Sequence, residues 1–188
     1  MDGINGITGF YSIVVLLGFY FVNLKEQIVE NNLIIYPLFS LVIFGFYNFR
    51  KKARMFAGDI GSISIAVLLF FLGAYFIKET SSPILILFIL VYGADTILTI
   101  GYRKSIGEKI SEPHRKHIYQ KLVHTLGLSH LKVAALYAVV QGVVCSLVYF
   151  GYQMSFVNQL VVIFCCMVVF ALAYLYLFKL IDKKKALV

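Results

Sequence analysis

The chain has 188 residues, 61% of them hydrophobic and only 14% charged, where a soluble domain carries about a quarter charged residues. The apolar residues come in blocks, not in periodic stripes. This excludes an ordinary soluble domain and indicates an all-α, polytopic integral membrane protein with a single transmembrane domain over 1–188. The cations behind the net charge of +8 flank those blocks as membrane topology requires, so nucleic acid is excluded as the partner they serve.

In chain order, Met1-Asp2-Gly3-Ile4-Asn5-Gly6-Ile7-Thr8-Gly9 leads directly into the first of about six apolar segments. These run about Ile7–Val22, Leu33–Tyr47, Ser62–Ile77, Pro83–Ile100, Lys132–Phe150 and Phe156–Phe178. Several are shorter than the ~20 residues of a spanning helix, and boundary aromatics make up the difference. Strands are excluded, because an open sheet cannot satisfy its backbone in lipid and the runs do not alternate. Cys145, Cys165 and Cys166 lie inside apolar runs and read as packing residues.

The cations orient the chain. Arg50, Lys51, Lys52 and Arg54 follow the second segment. Arg103, Lys104, Lys109, Arg115, Lys116, Lys121 and Lys132 follow the fourth or start the fifth, and Lys179, Lys183, Lys184 and Lys185 end the sixth. If the spans alternate, these fifteen fall on one side and only Lys25 and Lys78 on the other. The rich side is then cytoplasmic, with both termini on it. Loops of about 48–61 and 101–131 face the cytoplasm, and the first of them is Gly-rich around Asp59.

Three polar stretches therefore share one face. Asp2 and Asn5 stand where the first span begins. Phe56-Ala57-Gly58-Asp59-Ile60-Gly61-Ser62 follows a basic run. Its single acid fits a hard divalent cation, which is held by one or two carboxylates plus substrate phosphates. The Gly58–Gly61 turn can cradle phosphate oxygens, and Ser62 is expected to cap the third helix. The alternative is an interfacial ion pair of Asp59 with Lys52 or Arg54. Phe56 reads as an interfacial anchor or a stacking platform for a base. In Pro113-His114-Arg115-Lys116-His117, the two histidines would share one face of a helix starting near Pro113, making a donor cluster for a pyrophosphate. A zinc site lacks a third ligand set, and a plain basic loop explains the lysines but not the histidines. Asp95, inside the fourth segment, is either functional or paired with Thr96, Thr99 or Arg103.

Taken together, Met1–Gly9, Phe56–Ser62 and Pro113-His114-Arg115-Lys116-His117-Ile118-Tyr119-Gln120 resemble three ordered motifs of the polyprenyl-phosphate N-acetylhexosamine-1-phosphate transferases (glycosyltransferase family 4). Asp95–Thr99, Arg103 and Gly107-Glu108-Lys109 resemble the link between the last two, and the likeness extends from Met1 to about His124. It implies transfer of a sugar-1-phosphate, by default N-acetylglucosamine-1-phosphate, from a UDP-sugar to undecaprenyl phosphate in the inner (plasma) membrane, active face cytoplasmic, to start a cell-envelope glycan. It implies Asp59 as ligand of Mg²⁺, with Mn²⁺ as substitute, and catalytic roles for Asp59, His114 and His117. It places Phe56 on uracil, Asp2 and Asn5 along the nucleoside pocket, Gly58, Gly61 and Ser62 at the substrate, and Arg115 on the phosphates. Asn5 stands where many members carry aspartate.

The family also has upstream helices and an aspartate-rich motif, and no two acids are adjacent in this chain. The expectation is a C-terminal portion of a longer enzyme, inactive alone, completed by missing N-terminal helices or by a second copy. The competing classes are a small transporter, which needs polar mid-membrane groups and broken helices, and a scaffold subunit. The spans look nearly bare apart from Asp95, which favours chemistry at the lipid surface.

Overall fold

A computed structural model describes residues 2–109, 112 and 116–185. The described chain is helical without strands: α1 (Ile7–Glu26), α2 (Asn32–Asn48), α3 (Gly58–Thr80), a 3₁₀ segment (Pro83–Ile89) running into α4 (Leu90–Ser105), α5 (Ile118–His124), α6 (His130–Gly151) and α7 (Phe156–Lys185). Five helical stretches are long and apolar enough to cross a bilayer, and α2 is a shorter apolar helix. The protein is a multi-pass membrane protein.

α1 is the central post. Ile7, Tyr11, Val15, Leu16, Phe19 and Val22 are buried at helical spacing, facing mainly α6 and α2. Gly18 admits the neighbours closely: a Cβ there would stand 3.0 Å from the Phe88 ring and 3.2 Å from Cys145 Sγ. By contrast α3 and α7 expose apolar side chains along their lengths, among them Val67, Phe70, Phe164 and Leu172. Such surface is stable against lipid tails and a liability in water.

The fourth segment is broken, not straight. Pro83 starts it as a 3₁₀ helix, and the backbone changes to α geometry at Leu90. Backbone groups freed at such a break must find partners inside the membrane. Gln141 of α6, fully buried, supplies them: its Oε1 accepts from Val91 N at 3.2 Å and its Nε2 donates to Leu87 O at 3.1 Å. Tyr11 donates to the same Oε1. The bareness expected of the spans thus does not hold at this amide, which serves the break.

At the end of the bundle opposite the basic loops, Asn23 ties the α1–α2 turn by bonds to Val29 N and O and to Asn31. Nearby in the fold Tyr152 donates to Glu26 at 2.7 Å and Ser82 donates to Tyr152 O.

Candidate functional site

The N-terminal segment is the keystone of the site. Asp2 Oδ1 accepts from Thr8 at 2.9 Å, and its Oδ2 accepts from Gly58 N at 3.1 Å. A carboxylate on the first amide of a helix is a charge-assisted bond in a favourable dipole field. Asp2 thus fastens the start of α1 to the start of α3, beside Asp59. Asn5 is buried. Its Nδ2 donates to the carbonyls of Arg50 and Lys51 at 3.1 and 3.3 Å, and its N–H donates to His130 Nδ1 at 3.2 Å. Gly3 lies so near α5 that a Cβ would stand 2.8 Å from both Tyr119 Oη and Gln120 Nε2.

Two residues not singled out from the sequence hold the loop between α2 and α3. Asn48, buried at the end of α2, accepts from Gly6 N at 2.7 Å and donates to Met55 O at 2.7 Å. Gly6 has φ +84°, a left-handed conformation that aims its N–H at Asn48. Phe49 fills the space over Gly9 and Gly45, where a Cβ on either would meet its ring at 2.5 Å. The ring also stacks on Phe10 with centroids 4.1 Å apart. The signals were a lone amide closing an apolar run and two glycines facing one aromatic, legible only once α1 and α2 are known to touch.

The helix boundaries differ from expectation here. α3 begins at Gly58, so Asp59, Gly61 and Ser62 stand in its first two turns, not in the preceding loop. Ser62 is therefore not the cap; it donates to Asp59 O at 3.3 Å. Asp59 is exposed and forms no ion pair with Lys52 or Arg54 among the described residues, so the interfacial pairing is not what the structure shows. Phe56 is 66% and Ile60 87% exposed. Lys51, Lys52 and Arg54 are exposed beside them, while Arg50 turns back onto Phe46 O at 2.8 Å.

His114 and Arg115 lie outside the described residues. His117 does not continue a helix from Pro113: its backbone is extended (φ −58°, ψ 147°) and it precedes α5, which starts at Ile118. Its ring stacks with Tyr119, and its Nδ1 lies 3.5 Å from Asp95 Oδ1. Burial raises the Tyr119 pKa well above that of a free phenol, and the charges of Asp95 and Asp2 add to this, so Tyr119 stays a neutral hydroxyl. The preceding loop is clasped by buried Arg103, which bonds Glu108 Oε2 at 3.2 Å and the carbonyls of Lys109 and Glu112. Lys116 pairs with the same carboxylate. The Lys116 hydrogen bond, seconded by Arg103, holds the Glu108 carboxyl below the usual range.

Among the described residues the N-terminal segment thus touches both the start of α3, through Asp2 and Gly58, and α5, through Gly3 beside Tyr119 and Gln120. From there a groove of about 420 Å³ runs between α1, α3 and α4, lined by Thr8, Ser62, Ile65, Phe70, Tyr92 and Ile97. Its Thr8 and Ser62 end adjoins Asp2 and Asp59. Among the described residues no group of three or more His, Cys, Asp or Glu could hold a metal; the zinc alternative also involves His114, which lies outside the described residues. An exposed carboxylate in a helix's first turn does fit Mg²⁺, which takes few protein oxygens and completes its shell with water and phosphate.

Among comparisons with known proteins, the model of glycosyl transferase family 4 matches residues 1–94, half of the chain. That span holds Asp2, Asn5, Asn48 and the Asp59 turn and stops before Asp95. No curated protein and no solved structure matches.

Proposed function

The chain belongs to glycosyl transferase family 4, a membership that implies a membrane phospho-sugar transferase, and on that premise we propose that it serves transfer of an N-acetylhexosamine-1-phosphate from a UDP-sugar to undecaprenyl phosphate. A phosphate oxygen of the lipid attacks the sugar-bearing phosphorus, UMP leaves, and a lipid-linked diphosphosugar results. The face is cytoplasmic, the membrane is the inner (plasma) membrane, the six helices cross it with both termini inside, and the product starts a cell-envelope glycan.

The observation that carries this reading is the carboxylate of Asp2 bonded to Gly58 N, which sets exposed Asp59 at the end of an apolar groove. The groove suits a polyprenyl tail whose phosphate emerges beside α3. There the amides of Asp59 and Ile60, in a helix's first turn, have no intrahelical acceptor and suit phosphate oxygens. Lys51, Lys52 and Arg54 raise the local concentration of anionic substrates. Phe56 offers an exposed ring to uracil, with Asp2 and Asn5 behind it. Gly61 and Ser62 keep the turn narrow, and His117, with His114 and Arg115, serves the phosphates. Asp59 would hold Mg²⁺, or Mn²⁺ in its place, and the bound ion would neutralise charge building on the diphosphate.

The transporter reading requires mid-membrane polar groups along a path. The broken fourth segment and Gln141 meet half of that requirement, but Gln141 is spent on Val91, Leu87 and Tyr11.

The test is Asp59→Asn, assayed in membranes with radiolabelled UDP-N-acetylglucosamine and undecaprenyl phosphate. Transfer should fall about 100-fold or more while expression and insertion stay unchanged, since the side chain is exposed. Undiminished transfer by Asp59→Asn, in a preparation where the parent transfers, would remove Asp59 from the metal role, and robust transfer by the purified chain with no added partner would overturn the expectation that it is inactive alone.

A further inference from the structure

Asp95 is the first residue beyond the family match, and it is 3% exposed inside a membrane helix. Its surroundings are all potential donors. Oδ1 accepts from Ile118 N at 3.1 Å, Thr99 Oγ1 at 3.2 Å and Tyr174 Oη at 3.4 Å, and Oδ2 accepts from Tyr137 Oη at 2.9 Å. His117 Nδ1, itself buried, stands 3.5 Å from Oδ1, an ion-pair distance at which the geometry does not complete a hydrogen bond. One carboxylate therefore joins three bilayer helices, α4, α6 and α7, to the first amide of α5 and to the residue before it. A wall of apolar residues, Val91, Leu136, Val169 and Leu177 among them, lines the adjoining cavity of about 400 Å³. Hydrogen bonds at a site so sheltered are strengthened, and a change at one member is felt by the rest.

We propose that Asp95 is a positioning residue for His117: it holds the imidazole with Nδ1–H turned inward and leaves Nε2 as the nitrogen presented to a ligand. The partner of one imidazole nitrogen decides the role of the other. His130 offers an internal contrast. Its Nδ1 accepts the N–H of Asn5 at 3.2 Å, so its proton is on Nε2. On this proposal the two rings, on α6 and before α5, carry opposite tautomers, each set by its nearest polar neighbour. Tyr119, stacked on His117 and packed against Gly3, keeps the ring plane toward the N-terminal segment. The catalytic half of the proposal rests on the transferase reading above; the pairing itself does not.

The experiment is a long-range ¹⁵N–¹H correlation spectrum of the ¹⁵N-histidine-labelled full chain in lipid nanodiscs, at a pH where the rings are neutral. His117 and His130 are assigned by loss of their signals in His117→Gln and His130→Gln. The expected spectrum shows His117 protonated on Nδ1 and His130 on Nε2, and Asp95→Asn shifts His117 toward Nε2–H while His130 stays. A parent spectrum with His117 protonated on Nε2, or a His117 pattern indifferent to Asp95→Asn, overturns the proposal. Where transfer is measurable, Asp95→Asn and His117→Ala should each lower kcat about 10-fold with little change in KM, and together no more than His117→Ala alone. Losses that multiply would show that Asp95 acts elsewhere. Where the parent chain alone shows no transfer, the spectrum decides the pairing.

Discussion

Asn48→Leu tests whether the polar end is held by specific bonds or only by the packing around it. Leucine keeps the same branching and number of heavy atoms and removes both the acceptor for Gly6 N and the donor to Met55 O, each at 2.7 Å. The Gly6 N–H is buried, and an orphaned buried donor costs about 1–3 kcal/mol. Met55 is half exposed, so its carbonyl regains water and the loss there is a net bond of about 0.5–1.5 kcal/mol. The sum is about 1.5–4.5 kcal/mol, roughly one to three orders of magnitude in the folded ratio at about 1.4 kcal/mol per tenfold. Because both bonds tie the N-terminal segment to the loop before α3, the loss should appear there first. Protease cleavage near Arg54 in detergent should rise before the helices unfold, and any transfer activity should fall in parallel. Unfolding of Asn48→Leu within about 0.5 kcal/mol of the parent, the spread of inert surface changes, with unchanged cleavage, would refute the reasoning.

Gly9→Ala drives a methyl into the Phe49 ring, and should destabilise by about 1–3 kcal/mol; Phe49→Leu in the same background should recover part of that, measured as a double-mutant cycle in denaturant. Gln141→Leu orphans Val91 N and Leu87 O at the helix break, and unfolding in mixed micelles should show a loss of about 1–2 kcal/mol. The Glu108 carboxyl is held below its ordinary 4.5 by Lys116 and Arg103. Its clasp is therefore complete above pH 4.5 and is lost as pH falls through the lowered value. Acid-stable protease should cut near Lys109 and Lys116 increasingly over that window, and Glu108→Gln should cut equally at all pH values.

Several features of the site were legible early because they depend on local chemistry. Asp2, Asn5 and the glycines beside Asp59 are polar residues at the ends of apolar runs, and alternation of spans puts them on one face. The start of α3 was placed too late because Gly58-Asp59-Ile60-Gly61 reads as a turn, although Asp2, 56 residues earlier in the chain, bonds the amide that opens the helix. His117, expected on a helix, is extended instead, and its neighbour Ile118 bonds to Asp95 from across the bundle. Neither partner is near in sequence, so no window of residues holds the information.

What the amino-acid order by itself determined is the class of molecule. Blocks of apolar residues must satisfy their backbone as helices in lipid. Only the tertiary structure decided which polar groups are spent on the fold and which stay open. Asn5, Asn48, Asp95 and Gln141 are engaged by backbone and side-chain partners brought in from elsewhere in the chain, while Asp59 and Phe56 stay exposed. The reason is that a buried polar atom must be paired, and its partner is set by which helices touch.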